Sequence, residues 1–395
     1  MKQFRVFIRN LSMAGLFLFV TKMAIAHPGG HYLPNDVFNT WTLASGRTIE
    51  GNFLMAHDNT IVLEQKGGGR ITVFVDLLSD QDKALALFKI RKYNTLNEQV
   101  RVNQPADLSL LESAFEPYQP AVTTSSDENY FYVSSRGIAN HPMMIGITSW
   151  QQQVPIPQNY SGSNAWPIPL RPVLAETPMS TRNNFMRGAI AIAVNGIPIF
   201  NALNNRGEDA YLIGELDKRG GHCGKGDDYH YHTAPLHLSA ISLLKPIAFA
   251  LDGFAVYGEK EPDGSAVLPL DECHGHFAAN GLYHYHGTKN YPYMIAAMRG
   301  KVNTDNKTPA PENQILPQAF TAPVRPPLKP LRGAVITNCV ATANNAFSIT
   351  YKIAGKNGSV NYYWDEKNSY YFTFIDTDGN QTTASYERRN GRKKD

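Results

Sequence analysis

The feature that most constrains the fold is an internal repeat. The segment "IAIAVNGIPIF" at 190–200 parallels "IAFALDGFAVY" at 247–257. Each has Asn-Gly or Asp-Gly at its centre, which is the strongest short signal for a two-residue β-hairpin. Each hairpin is followed by a Cys/His-rich turn, "GGHCGKG" or "ECHGH", and then by Tyr-His-Tyr-His. We therefore expect a duplicated β unit whose two halves pair about a pseudo-two-fold axis.

The two Tyr-His-Tyr-His segments predict paired histidines on strands, because successive strand side chains point to opposite faces. His230 and His232 therefore share one face. His284 and His286 share the equivalent face in the second copy, and the tyrosines face the other way. Two imidazoles about 7 Å apart along a strand can reach one metal ion. We expect the pseudo-dyad to gather all four imidazoles at one site.

Imidazole suits transition metals, and we expect Zn or Cu. Further histidines in the two turns can complete or orient the ligand set: His222, His274 and His276. Asp227 and Asp228 directly precede the first Tyr-His-Tyr-His. They are candidate acceptors for imidazole N–H groups, and the candidate catalytic residues, as a general base for bound water. A purely structural His/Tyr core and a metal-free acid–base site remain open alternatives.

The chain has three cysteines, Cys223, Cys273 and Cys339, so an odd thiol remains after any single pairing. Cys223 and Cys273 each lie a few residues before a Tyr-His-Tyr-His segment. We expect these two to form a disulfide, which export from the cytoplasm would permit. Either of them can instead be a thiolate metal ligand.

The N-terminal residues 1–26 predict a secretory signal peptide. Basic residues precede the apolar run "LSMAGLFLFV", and Ala24-Ile25-Ala26 forms a small-residue cleavage site. An uncleaved membrane anchor is the alternative, although the run is short for a membrane span. The mature protein is therefore expected to be secreted or periplasmic, without a stable membrane span.

Cleavage after Ala26 would leave His27 as the new N-terminus. Its amine and imidazole can together chelate copper, and His31 lies close enough to contribute. The alternative is an accidental histidine in a loose terminus, which the neighbouring Pro28-Gly29-Gly30 favours because a metal site needs a rigid surrounding shell.

Residues 37–95 predict a small β-barrel followed by one helix, because short alternating runs are separated by Gly- and Asn-containing turns. The order of several short motifs resembles the SLA1 homology domain 1: Trp41-Thr42, Ser45-Gly46-Arg47, the Leu63-Gly68-Val73 core and Leu78-Ser79-Asp80-Asp82. That resemblance implies an SH3-like barrel that binds a peptide or protein ligand. A purely structural barrel is the alternative.

Residues 128–334 are rich in Gly, Pro, Asn and aromatic residues, and they predict an irregular, mostly β domain. Residues 335–387 predict a small β-hairpin module, and residues 388–395 form a basic tail. The fold class is therefore mainly β. The segments "GGHCGKGDDYHYHTAP", "ALDGFAVYG" and "GLYHYHGTKNYPY" resemble the YHYH domain family of exported proteins. The resemblance implies no particular catalytic activity.

Two functions of different classes fit these patterns. The first is an exported metal-binding protein, which is an enzyme only if a coordination position stays open. The second is a non-catalytic adhesion or scaffold protein with a binding barrel and a structural His/Tyr core. The net charge is only +3, with the basic excess in the tail, so no nucleic-acid partner is expected. The sequence contains no G-x-S-x-G, H-E-x-x-H or P-loop motif.

Overall fold

The computed structural model describes residues 39–57, 59–65, 70–101, 106–278, 281–305 and 307–388. The chain divides into two compact units, residues 1–95 and 96–395. The protein is mainly β, as predicted. The predicted signal peptide, its cleavage site and His27 with His31 lie outside the described residues, and so does most of the basic tail.

In the first unit, the described strands form one antiparallel sheet in the order β1-β2-β3-β4. The strands are β1 (Asn39–Thr42), β2 (Thr48–His57), β3 (Thr60–Glu64) and β4 (Arg70–Phe74). Helix α1 (Asp80–Arg101) follows, and the Asp82 carboxylate near its start accepts a 2.7 Å hydrogen bond from the Thr42 N–H. The described strands do not close into a barrel, so the predicted small β-barrel is wrong, whereas the predicted helix after it is present. Within the described sheet, β1 is the neighbour of β2 and β4 is the neighbour of β3, at opposite edges.

The second unit begins with one helix and four strands: α2 (Leu108–Phe115), β5 (Val122–Ser126), β6 (Tyr130–Ser135), β7 (Trp166–Pro169) and β8 (Leu174–Ser180). Strands β5, β6 and β7 form a three-stranded antiparallel sheet. Asp107 caps α2 through its side chain, which accepts a hydrogen bond from the Leu110 N–H. Short 3-10 turns also occur, at Val75–Leu77, Glu116–Tyr118, Gly162–Asn164 and Leu236–Leu238.

The duplicated segment builds a sheet of eight short strands. In chain order these are β9 (Ala189–Ala193), β10 (Pro198–Phe200), β11 (Gly221–Cys223), β12 (Tyr229–Tyr231), β13 (Ala248–Ala250), β14 (Ala255–Tyr257), β15 (Gly275–Phe277) and β16 (Tyr283–His286). Helix α3 (Ser239–Ser242) lies between β12 and β13.

The strand order is β11-β12-β10-β9-β13-β14-β16-β15. Each repeat forms one half of the sheet, and the strands of the second half follow the reverse of the order in the first half. Strands β9 and β13 pair antiparallel at the centre, and β10–β12 and β14–β16 are parallel pairs. This arrangement confirms the predicted duplication. It also places β12 and β16 far apart, with four strands between them.

Both predicted hairpins are present, and each depends on its turn glycine. Gly196 and Gly253 have φ angles of +76° and +97°, which L side chains rarely adopt. A Cβ atom at Gly196 would lie 2.7 Å from the Ser135 Cβ, and one at Gly253 would lie 2.7 Å from the Pro169 carbonyl oxygen. The hairpin turns therefore pack directly on the sheet formed by β5, β6 and β7.

The remaining strands are β17 (Ala297–Gly300), β18 (Asn303–Thr304), β19 (Ile315–Leu316), β20 (Val335–Ala343), β21 (Ala346–Ile353), β22 (Lys356–Trp364), β23 (Ser369–Ile375) and β24 (Gln381–Glu387). Strands β17 and β8 form one pair, and β18 and β19 form another. Strands β20–β24 form an antiparallel meander. This C-terminal sheet shares one hydrophobic core with the eight-stranded sheet, and the Tyr362 hydroxyl donates to the Pro155 carbonyl at 2.8 Å.

The predicted Cys223–Cys273 disulfide is wrong. Cys223 lies on β11 at one edge of the eight-stranded sheet, whereas Cys273 lies just before β15 at the opposite edge. All three cysteines are free and buried, and the Cys223 thiol contacts the Met144 sulfur at 3.5 Å. Neither Cys223 nor Cys273 belongs to a group of convergent metal-binding side chains among the described residues.

Among the described residues, no helix combines the length and the apolar character needed to cross a membrane.

The positions of the cysteines predict three thiols per chain. A thiol-specific reagent added to protein denatured without reductant should label three cysteines, and the folded protein should react slowly because all three are buried. A titre of one thiol in the denatured, unreduced protein would show that a disulfide exists and would contradict this arrangement.

Candidate metal centres

Three histidines of the first repeat converge on one point. His222 lies on β11, His230 lies opposite it on β12, and His232 directly follows β12. The Nε2 atom of His232 lies 3.0 Å from that of His222 and 3.1 Å from that of His230. The backbone of Glu215 hydrogen-bonds His222. We call these three residues the first histidine cluster.

The hydrogen bonds at the other ring nitrogens fix the tautomers of two members. The Nδ1 atom of His230 lies 2.9 Å from the Asp228 carbonyl oxygen, and that of His232 lies 2.5 Å from the Asn201 carbonyl oxygen. A carbonyl oxygen can only accept, so each Nδ1 must carry the hydrogen. The Nε2 atom of each neutral ring therefore presents a bare lone pair to the cluster. The Phe200 ring stacks on His230 with the centroids 3.9 Å apart, which fixes the plane of the imidazole.

Two bare nitrogens about 3 Å apart repel each other unless a cation or a proton lies between them. Burial, with the neighbouring His230, lowers the pKa of His232 to about 3. Burial and the adjacent histidines also lower the pKa of His222 well below its ordinary value. Protonation is therefore disfavoured, and a metal cation is the partner that suits three convergent imidazoles.

The first histidine cluster opens into a cleft of about 680 Å³. The cleft walls carry both basic and acidic side chains, including Arg187, Arg206, Lys225, Glu215 and Glu312. His222 is only partly buried, whereas His230 and His232 are buried. A ligand bound at this cluster would therefore be reachable from solvent.

The two candidate catalytic aspartates have different surroundings. The Asp228 carboxylate lies 3.4 Å from the Nδ1 of His230 and borders the cleft. Its role as a base remains a prediction. The Asp227 carboxylate accepts two hydrogen bonds from Arg325, at 2.6 and 2.7 Å, and one from the Val154 N–H. Asp227 therefore forms a buried ion pair and does not belong to the convergent group.

The second repeat contains an equivalent cluster with a fourth member. His276 on β15 lies opposite His284 on β16, and the Nε2 of His276 lies 3.2 Å from that of His286. The carboxylate of Glu261 lies 3.1 Å from the Nε2 of His276 and 3.2 Å from that of His284. We call these four residues the second histidine cluster.

A backbone carbonyl also orients one imidazole of the second cluster. The Nδ1 of His286 donates to the Gly258 carbonyl at 2.8 Å, so its Nε2 is a bare lone pair. That lone pair faces both the Nε2 of His276 and a Glu261 oxygen 3.6 Å away. Burial alone would raise the pKa of Glu261, but the surrounding histidines outweigh it and lower the pKa. The site thus combines imidazole nitrogens with an ionised carboxylate.

All four members of the second cluster are buried, with exposed fractions of 6% for Glu261, 2% for His276, 4% for His284 and 0% for His286. A largely apolar cavity of about 380 Å³ borders His284. The second cluster therefore differs from the first both in its ligand number and in its closure.

The expectation of one four-histidine site is replaced by two separate sites. The predicted His230 and His232 lie in the first cluster, and the predicted His284 and His286 lie in the second. His222 and His276 each join the cluster of their own repeat, whereas His274 is directed elsewhere, with its Nε2 3.1 Å from the Thr288 hydroxyl. Whether these side chains are metal ligands remains a prediction.

Glu261 was not predicted. It follows the second hairpin and precedes the second Tyr-His-Tyr-His by more than twenty positions, so its spacing resembles no metal-binding motif. The repeat gives no signal for it, because the equivalent position of the first copy carries Asn204. A buried carboxylate needs a charged or hydrogen-bonding partner. Only the fold shows that this turn brings Glu261 to the histidines.

The tyrosines face the opposite side of the strands, as the alternation predicts. The Tyr229 hydroxyl donates to the Asp217 carboxylate at 2.7 Å, and in the second repeat the Tyr283 hydroxyl donates to Asp271 at 2.9 Å. Tyr231 instead meets the Asn195 amide at 3.0 Å. The same tetrapeptide therefore supplies one histidine face and one hydrogen-bonded packing face.

Comparison with known proteins gives one family match. A family model described as YHYH protein matches residues 165–268. The match covers the first histidine cluster and extends through Glu261, whereas the histidines of the second cluster lie beyond it. The searches of curated proteins and of solved structures gave no significant match. The comparisons do not support the resemblance of residues 37–95 to SLA1 homology domain 1.

The Asp227–Arg325 ion pair makes a prediction about stability. Both side chains are about 1% exposed, so Arg325→Met would leave a buried carboxylate without its partner. We expect a loss of about 3–5 kcal/mol in the free energy of unfolding, measured by urea denaturation. The double variant Asp227→Asn/Arg325→Met should recover part of that loss because it removes the unpaired charge.

The matched control is Lys356→Met, which breaks an ion pair with Asp378 whose side chains are 66% and 67% exposed. Exposed ion pairs contribute little, so its unfolding curve should nearly overlay that of the unmodified protein. Equal effects of Arg325→Met and Lys356→Met would contradict a stabilising role for the buried pair.

Proposed function

We propose that the protein is a metalloprotein that binds two transition-metal ions, one in each histidine cluster. The observation that carries this proposal is the convergence of imidazole Nε2 atoms in both clusters, where the Nδ1 atoms of His230, His232 and His286 are hydrogen-bonded to backbone carbonyls. Imidazoles held this way are preorganised ligands, because the tautomer and the ring orientation are set before any ion arrives.

The spacing of the ligand atoms fits such ions. Zn–N bonds of about 2.0–2.1 Å in a tetrahedral site place the nitrogens about 3.3 Å apart. The Nε2 pairs are 3.0 and 3.1 Å apart in the first cluster and 3.2 Å apart between His276 and His286. The donor sets, three nitrogens in one cluster and three nitrogens with one carboxylate in the other, suit Zn²⁺ or Cu²⁺ and disfavour ions that require oxygen ligands.

A structural His/Tyr core explains the geometry less well. In such a core each N–H group would face an acceptor and each lone pair would face a donor. The tyrosine face meets this requirement through Asp217 and Asp271. The histidine faces do not, because His230 and His232 direct two acceptors at each other, and in the second repeat the lone pair of His286 faces a Glu261 carboxylate oxygen 3.6 Å away.

We further propose that the chain is exported and that its signal peptide is cleaved after Ala26. The support is the order of basic residues, apolar run and Ala24-Ile25-Ala26 in the sequence. Export would place the histidine clusters in a compartment where the protein competes for extracytoplasmic metal. A copper site at His27 requires that same cleavage.

The proposal predicts two metal ions per chain. Exported protein, whose intact mass also reports cleavage after Ala26, should contain about two equivalents of Zn or Cu by elemental mass spectrometry. His230→Ala and His276→Ala/His284→Ala each leave two ligands in one cluster, so each should retain one equivalent, and the combined triple variant should retain none.

The control variant is His274→Ala, because this histidine lies next to the second cluster in sequence but directs its ring at Thr288. It should retain both ions. Circular dichroism must show that each variant is folded. Folded, unmodified protein that binds no stoichiometric metal after exposure to Zn and Cu would refute the proposal.

A further inference from the structure

The two clusters carry different residues at one position that is equivalent in the two repeats. The hairpins align with a shift of 57 residues, which pairs Asn204 of the first repeat with Glu261 of the second. The local structure confirms this pairing, because the Asn204 N–H donates to the Glu208 carbonyl at 2.9 Å and the Glu261 N–H donates to the Ser265 carbonyl at 3.1 Å. A second hydrogen bond closes each turn from a glycine with positive φ: Gly207 and Gly264.

The same alignment holds at the histidine anchors. Asn201, whose carbonyl accepts from His232, is equivalent to Gly258, whose carbonyl accepts from His286. The two repeats therefore hold equivalent histidines from equivalent backbone atoms. The turn that supplies a carboxylate ligand in the second cluster supplies an amide in the first.

The Asn204 amide is already engaged within its own turn. Its nitrogen donates to Glu208 at 3.1 Å and to Glu215 at 3.3 Å, and its oxygen accepts from the Arg206 N–H at 2.9 Å. Glu215 is held in turn by the Arg206 guanidinium at 2.6 Å. Glu215, whose backbone hydrogen-bonds His222, is thus paired within this network, and the first cluster has three convergent ligands among the described residues rather than four.

We propose, as an extension of the proposed function on which it rests, that the first metal keeps a coordination position open for a small external ligand and that the second metal does not. The open position faces the cleft of about 680 Å³, and the ligand class is a small anion or a substrate group that donates an oxygen or nitrogen lone pair. Asn204 is the residue whose identity keeps that position open. The second metal is enclosed by four buried ligands and stabilises the fold.

The charges around the first cluster favour an anionic ligand once a metal ion is bound. Arg187 and Lys225 border the cleft, and neither forms an ion pair with a carboxylate in the described part of the chain. Three acidic groups also border the cleft: Glu215 is paired with Arg206, Asp228 accepts from the Gly226 N–H, and Glu312 offsets the charge of one cation. A divalent metal adds further positive charge to this surface.

The experiment uses cobalt(II) as a visible probe and azide as the small anion. His276→Ala/His284→Ala leaves only two ligands in the second cluster and so confines cobalt to the first, and His230→Ala leaves only two in the first and so confines cobalt to the second. Azide should change the visible absorption of the first protein in a saturable way and should leave the second unchanged. Unmodified protein with two cobalt ions is a check that needs no variant, because azide should perturb only part of its absorption.

The decisive variant is Asn204→Glu in the His276→Ala/His284→Ala background. It should keep one cobalt ion and weaken azide binding at least about tenfold, because the new carboxylate would occupy the open position as Glu261 does in the second cluster. Asn204→Gln has the same side-chain length without the charge, so it should bind azide like its parent.

The outcomes separate this inference from the proposed function. Cobalt bound in the first cluster without any azide response would overturn the open position and leave the two-metal proposal standing. An equal azide response from both clusters would overturn the asymmetry. Failure of the unmodified protein to bind cobalt, zinc or copper would overturn both proposals.

Discussion

The site depends on one interaction, the hydrogen bond from an imidazole Nδ1 to a backbone carbonyl. His232 makes this bond to Asn201, and His286 makes it to Gly258. Both carbonyls directly follow a strand that runs parallel to the histidine strand. The sheet therefore fixes the tautomer and the direction of each ring, and the bare Nε2 atoms converge because the strands are paired in this register.

The rest of the duplicated sheet supports that arrangement from the other face. The hydroxyls of Tyr229 and Tyr283 donate to Asp217 and Asp271. The same two carboxylates also accept the N–H groups of Gly221 and Gly275, which begin the neighbouring strands β11 and β15. Tyr229 lies so close to Gly221 that a Cβ there would lie 2.5 Å from its hydroxyl oxygen, and Tyr283 packs on Gly275 in the same way. The alternation in Tyr-His-Tyr-His thus separates two tasks. The tyrosines hold the strands, and the histidines form the cluster.

Local features were predictable from the sequence, and long-range ones were not. Hairpins centred on Gly196 and Gly253 follow from turn chemistry, and the shared face of His230 and His232 follows from strand periodicity. The sheet order does not follow from either. Five strand spacings separate β12 from β16, roughly 24 Å, so one four-histidine site is impossible. The same separation rules out the Cys223–Cys273 disulfide. Glu261 could be recognised only once the turn that carries it was seen to fold over the histidines.

The most direct test of the account is an anomalous-scattering experiment on crystals of the full chain grown with zinc. The account predicts two anomalous peaks, one about 2.0–2.1 Å from the Nε2 atoms of His222, His230 and His232, and one at the same distance from the Nε2 atoms of the second cluster and an oxygen of Glu261. Crystals that show no peak at either cluster, with ordered water or direct imidazole hydrogen bonds in its place, would contradict it.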